Sequence, residues 1–87
     1  MDFEWDESKS KVNEEKHGIS FKDAVEMFSD PFLATGISRF EDETRYINIA
    51  KIEGRLWTAV TTKRNGKIRM ISVRRSRKGE VKIYEDQ

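Results

Sequence analysis

The sequence contains no cysteine and a single histidine, His17. Disulfides, thiol nucleophiles and cysteine-type zinc sites are thereby excluded, and one imidazole is too few soft ligands for a transition-metal site. Only a carboxylate-bound metal remains open, and no cofactor or metal site is assigned. Only one proline is present, Pro31, and no Pro/Gly/Ser-rich linker, internal repeat or low-complexity tract divides the chain. One undivided domain over residues 1–87 is the expectation. No apolar run approaches the roughly 18 residues that a membrane span requires. The start, Met1 to Glu7, lacks the basic-then-apolar layout of a signal peptide. These absences point to a cytoplasmic protein with no membrane partner.

What is present is charge and bulk. Charged residues make up 38% and hydrophobic residues 36%, and the five Phe, two Trp and two Tyr supply enough apolar volume for one thin core, which argues against disorder. The net charge of +1 conceals a division: residues 1–43 carry −7 and residues 44–87 carry +8. Between Lys63 and Lys78 stand Lys63, Arg64, Lys67, Arg69, Arg74, Arg75, Arg77 and Lys78 without one acid. A run of this kind suits a polyanion.

Local patterns predict two helices followed by strands. Asp6 suits an N-cap and Gly18 a C-terminal stop, giving a first helix over Glu7 to His17 whose apolar face is poor, with Val12 as its inward residue. Ser20 caps a second helix with Phe21, Ala24, Val25 and Phe28 at i, i+3, i+4, i+7, ended by Asp30-Pro31. Three antiparallel strands are predicted, Thr44 to Ile52, Arg55 to Arg64 and Lys67 to Arg75, joined by Glu53-Gly54 and by Asn65-Gly66, a strong type I′ signal. Two-residue turns set Ile52 opposite Arg55 and Arg64 opposite Lys67. In that register Ile47, Ile49, Leu56, Val60, Ile71 and Val73 share one face, expected to carry the helices. Tyr46, Asn48, Trp57, Thr61, Lys63, Ser72 and Arg74 share the other, expected to be a half-exposed basic and aromatic surface. Ser76 is a plausible cap for a short last helix holding Val81 and Tyr84, weakened by Gly79.

Four pieces in order, Phe3-Glu4-Trp5-Asp6, Lys16-His17-Gly18-Ile19-Ser20-Phe21, Phe28-Ser29-Asp30-Pro31 and the block Thr62 to Tyr84 with Arg69-Met70-Ile71-Ser72-Val73-Arg74, resemble the BrnT toxin family. Val73, where that family usually has Ala, and Gly79 in the terminal helix depart from its pattern. The resemblance implies an α+β fold of the RelE-like class, with two N-terminal helices on an antiparallel sheet and a short C-terminal helix. It implies a metal-independent endoribonuclease that arrests translation, acting on RNA alone or on the ribosome. It further implies a partner, an antitoxin with a ribbon-helix-helix DNA-binding domain, that neutralises the toxin in a hetero-oligomer and mediates its dimerisation.

RNA cleavage without a metal requires removal of the 2′-OH proton, stabilisation of a phosphorane and protonation of the leaving 5′ oxygen. Arginine suits the second task, because its planar fork meets two phosphate oxygens and stays charged at any working pH. With the resemblance, Arg64 and Arg74 are the first catalytic candidates, followed by His17 for proton transfer and Tyr84 as a further proton carrier. Lys63, Lys67, Arg69, Arg75 and Lys16 are candidates for holding RNA, and Trp57 for stacking a base. Each has a plainer reading: the arginines as a solvated basic face, His17 as a helix C-terminal cap, Tyr84 as packing, Trp57 as a protein contact. The acids Glu41-Asp42-Glu43 read as a solvated connection in preference to a magnesium site. The alternatives to an enzyme are a noncatalytic RNA- or ribosome-binding module and a domain that meets only an acidic protein partner.

Overall fold

The computed structural model describes residues 1–87. In chain order its elements are β1 (Phe3–Glu4), α1 (Glu7–His17), α2 (Phe21–Ala24) running into a 3-10 segment (Val25–Ser29), β2 (Ala34–Phe40), β3 (Glu43–Ile52), β4 (Arg55–Arg64), β5 (Lys67–Arg75) and α3 (Lys78–Glu85). The expected α+β class holds. The sheet, however, has five strands in the order β1-β5-β4-β3-β2, and it is mixed, because β1 pairs with β5 in parallel. The acids Glu41 and Asp42 are therefore the turn of a β2–β3 hairpin, and Glu43 opens a strand, where the sequence suggested a loop from helix to sheet.

The helix boundaries follow their caps. The Asp6 carboxylate accepts the Ser8 backbone N–H at 2.9 Å and the Ser8 hydroxyl at 2.6 Å, and these bonds hold its pKa below the ordinary value. Gly18 ends α1 at φ 80°, a left-handed position that glycine takes without a Cβ clash. α1 does not dock through an apolar stripe: Val12 is 60% exposed, and the buried residues are Ser10 and Asn13. Ser10 Oγ accepts the Phe21 N–H at 2.9 Å. Asn13 donates to the Ile19 and Val73 carbonyls, both at 2.9 Å, and accepts the Val73 N–H at 3.1 Å. α3 is capped by Arg77, whose N–H donates to Glu80 at 2.8 Å, while the expected cap, Ser76, bonds the Thr58 hydroxyl instead.

The core joins Ile19, Phe21, Ala24 and Met27 to Ala50, Trp57, Ala59, Met70 and Val73. In the β3–β4 register Trp57 faces Ala50, Ala59 faces Asn48 and Thr61 faces Tyr46, so these residues share the face beneath the helices. This inverts the expected assignment: the Tyr46/Asn48/Trp57/Thr61 face is the covered one, and Ile47, Ile49, Leu56 and Val60 lie on the outer face. The reason is volume. Phe21 and Met27 of the helical segments fill the space over Ala50 and Ala59, with Trp57 and Met70 of the sheet packed beside them.

Both turns read from the sequence are present, with positive φ at Glu53 and Gly54 and at Asn65 and Gly66. Arg64 faces Lys67 as expected, and the pairing runs in step to Thr61 opposite Met70. There the register slips, for Val60 faces Ser72, which leaves Ile71 as an extra residue in β5. Beyond this bulge every side chain of β5 changes face. Val73 turns into the core, and Arg74, opposite Thr58, joins Arg69, opposite Thr62, on the outer face.

Candidate functional site

The outer face collects cations from three strands. Arg45 of β3 alternates with Glu43 and Ile47, Arg64 of β4 with Thr62, and Lys67, Arg69 and Arg74 of β5 stand opposite residues of the same face. At the end of the sheet near the Asn65-Gly66 turn, one carboxylate organises this charge. Glu43 accepts from Arg45 Nε at 3.1 Å through one oxygen and from Arg64 Nη2 at 3.5 Å through the other. The Arg45 hydrogen bond is the larger cause that holds the Glu43 pKa below the usual carboxylate value, opposed by partial desolvation. The Arg45 guanidinium also lies 4.1 Å from the centroid of the Phe40 ring, which fixes its plane. Arg69 donates to Glu4 at 3.0 Å, an ion pair set up by the parallel pairing of β1 with β5.

These groups border a cleft of about 120 Å³ lined by Asp6, Lys9, Glu43, Arg45, Arg64, Arg69, Met70 and Ile71. Four cations face two carboxylates there, with the bulge residue Ile71 in the wall. The 3.5 Å contact of Arg64 is at the limit of a hydrogen bond, and its side chain is 54% exposed. A guanidinium so loosely held is free to take an anion.

At the opposite end of the outer face the charges are already paired. Arg74 donates to both oxygens of Glu80 at 2.8 Å, and Glu80 also accepts from Thr58 Oγ1 at 2.9 Å. The Arg74 fork first, and the Arg77 and Thr58 bonds after it, lower the Glu80 pKa to about 2 against the desolvation that raises it, and the same ion pair raises Arg74. Tyr84 donates to Asp30 Oδ2 at 2.7 Å, and that oxygen also accepts the Lys51 N–H at 2.8 Å. Asp30 pushes the Tyr84 pKa up to about 12, away from a proton-transfer range.

The structure thus distributes the residues singled out in the sequence. Arg64, Lys67 and Arg69 share the turn end of the outer face. Arg74 is opposite Thr58, six residues from Arg64 along β4, or about 20 Å at 3.3 Å per residue. Tyr84 belongs to α3, and Lys16 and His17 to the last turn of α1. Trp57, Lys63 and Arg75 are on the helix-covered face: Trp57 is 9% exposed with the Arg75 guanidinium 5.4 Å from its ring, and the Lys63 ammonium is 5.3 Å from the Tyr46 ring. The expected surface combining Trp57, Lys63 and Arg74 does not exist, because the bulge turns Arg74 to the other side.

Glu43 and Arg45 were absent from the sequence-based candidates. A signal for them was available: on a strand, i and i+2 share a face, and the β3–β4 register extended by three residues sets Glu43 opposite Arg64. A family model described as ribonuclease toxin, BrnT, of type II toxin-antitoxin system matches residues 5–80. The chain belongs to the BrnT family. No individually curated protein matches it. As a BrnT-family member it is the ribonuclease toxin of a type II toxin-antitoxin module, with an antitoxin as its partner. No helix is long and apolar enough to cross a membrane. α1 and α2 fill one face of the sheet, and α3 covers one end of the other through Glu80 on Thr58 and Arg74, which leaves the turn end of the basic outer face, with Arg64, open.

Proposed function

We propose that this BrnT chain cleaves RNA at the cleft bordered by Glu43, Arg45, Arg64 and Arg69, by attack of a 2′-OH on the adjacent phosphorus without a metal ion. The observation that supports the reading is a carboxylate held ionised between two guanidiniums, with a third beside the same cleft. A phosphate entering there draws Arg64 and Arg69 onto its oxygens, and the weaker Glu43–Arg64 contact gives way first. Glu43, released on that side, takes the 2′-OH proton as O2′ bonds to phosphorus. The P–O5′ bond breaks, and Lys9 in the cleft wall supplies the proton that O5′ needs. The products are a 2′,3′-cyclic phosphate and a 5′-hydroxyl.

In this reading Arg74 and Tyr84 anchor α3 through Glu80 and Asp30, and His17 and Lys16 finish α1. Lys67, next to Arg64, extends the phosphate-gripping surface. A RelE-like arrangement, arrest of translation and neutralisation by a ribbon-helix-helix antitoxin complete the proposal, supported by the family and the resemblance of the ordered motifs. The test is incubation of antitoxin-free protein with RNA, alone and with ribosomes, in excess EDTA. Fragments ending in cyclic phosphate are the expected result. Salt-sensitive RNA binding with no fragment under any condition would replace the enzyme with a noncatalytic RNA-binding module.

A further inference from the structure

The two edges of the sheet are treated differently. At the β5 edge, β1 covers Ile68 and Arg69, and beyond it the Asn13 amide occupies both the N–H and the carbonyl of Val73. At the other edge β2 has no neighbour beyond it. β2 carries none of the usual protections of a free edge: no proline, no bulge and one charge, Arg39. Instead it exposes Ile37 at 71% and Phe40 at 43%.

β2 is also complementary to itself. It meets β3 through the two-residue turn Glu41-Asp42, with Phe40 opposite Glu43. In such a hairpin the closing pair is mutually hydrogen-bonded, so Phe40, Ser38, Gly36 and Ala34 direct their peptide groups to β3. The N–H and C=O of Thr35, Ile37 and Arg39 then point away from the sheet. A second β2 laid antiparallel with Ile37 opposite Ile37 sets Thr35 opposite Arg39 and Arg39 opposite Thr35, so every outward group finds an outward partner. The side chains agree with this register, because Phe40 falls across from Ala34, Ser38 across from Gly36, and no like charges oppose. Shifting by two residues either way leaves one outward residue of each strand without its mate.

We propose that β2 is the interface of a two-fold symmetric homodimer, in which two copies join β2 to β2 into one ten-stranded sheet. This is independent of the proposed chemistry. It assigns self-association to the chain, where the family resemblance assigned dimerisation to the antitoxin. The axis runs through Ile37 perpendicular to the sheet, so both α1/α2 layers lie on one side and both basic outer faces, each with its α3, on the other. The result is one extended cationic surface with two clefts.

The experiment uses the purified full-length chain without antitoxin. Sedimentation is expected to give twice the 10.2 kDa mass of one chain. Hydrogen exchange at Thr35, Ile37 and Arg39 is expected to slow about tenfold or more as protein concentration rises, while the amides of Gly36, Ser38 and Phe40 stay protected at every concentration. Ile37→Pro removes an N–H that the monomer fold does not use, and is expected to give a folded monomer. Ile37→Lys, which sets two ammonium groups together on the axis and keeps the backbone donor, is expected to do the same at low salt and serves if the proline variant does not fold. A parent that stays monomeric across the concentration range overturns the proposal. A dimer that survives both substitutions, or whose alternating amides exchange freely, also overturns it.

Discussion

Asn13 and Val73 are joined by both halves of one side-chain amide: Nδ2 donates to the Val73 carbonyl at 2.9 Å and Oδ1 accepts the Val73 N–H at 3.1 Å. The side chain takes the place of a strand beyond the end of β1 and ties α1 to the sheet. Its second donor bond, to the Ile19 carbonyl, closes the link to α2.

Replacement of Asn13 by Ala leaves one buried N–H and two carbonyls without their partners. The expected loss is about 2–4 kcal/mol, with the melting temperature lowered by roughly 10 °C or more. Thermal unfolding followed by circular dichroism checks this, and a melt within a degree or two of the parent would show that the amide bonds are not what holds α1.

The Arg74–Glu80 pair gives an acid dependence of known sign. Glu80 has its pKa lowered from 4.5 to about 2, so its stabilisation is fully present above pH 4.5 and is lost as pH falls toward 2. A shift of this size corresponds to about 2–3 kcal/mol once partial solvent screening is allowed for. Glu80→Gln is expected to lower stability by that amount at neutral pH and to flatten the slope of unfolding free energy between pH 4.5 and 2. Urea unfolding at a series of pH values reads both. Equal slopes in the parent and Glu80→Gln would contradict the pairing.

Tyr84 acts in the opposite pH range. Its pKa is raised from 10.0 to about 12 by the bond to Asp30, so the stabilisation it brings is full below pH 10 and lost as pH rises through 12. Tyr84→Phe is expected to remove this alkaline dependence and to lower the melting temperature, while the RNA cleavage rate per folded molecule stays within about threefold of the parent. Loss of cleavage in folded Tyr84→Phe would return Tyr84 to the catalytic set.

The turns and caps were legible in the sequence because each rests on one or two residues with strong local preferences: Asp6 and Gly18 for α1, Ser20 for α2, Glu53-Gly54 and Asn65-Gly66 for the hairpins. What escaped reading depends on partners distant in sequence. β2 mixes Gly36, Ser38 and Arg39 with Ile37 and shows no clean alternation, so it becomes a strand only through its pairing with β3. The docking of α1 uses Ser10 and Asn13, polar residues that an apolar period does not register. The face assignment inverts because Ile47, Ile49, Leu56 and Val60 form the larger aliphatic set, whereas the helical segments pack on Ala50 and Ala59 with Trp57 and Met70 beside them. The bulge at Ile71 has no glycine to announce it, and without it Arg74 cannot be set on the same face as Arg64. Of the candidate site, Arg64, Lys67 and Arg69 could be read from charge density alone. Glu43 and Arg45 emerge only from the β3–β4 register, because by composition Glu41-Asp42-Glu43 reads as a solvated connection.

If the Glu43–Arg64 end of the outer face carries the chemistry, loss of the Arg64 guanidinium removes most of it. Single-turnover cleavage of an RNA substrate by Arg64→Ala, with folding verified by circular dichroism, tests it most directly. The guanidinium is exposed and its one ion pair is long, so the variant is expected to stay folded and to cleave about 100-fold or more slowly than the parent. Cleavage by folded Arg64→Ala at the parent rate would contradict the account and move the chemistry away from this cleft.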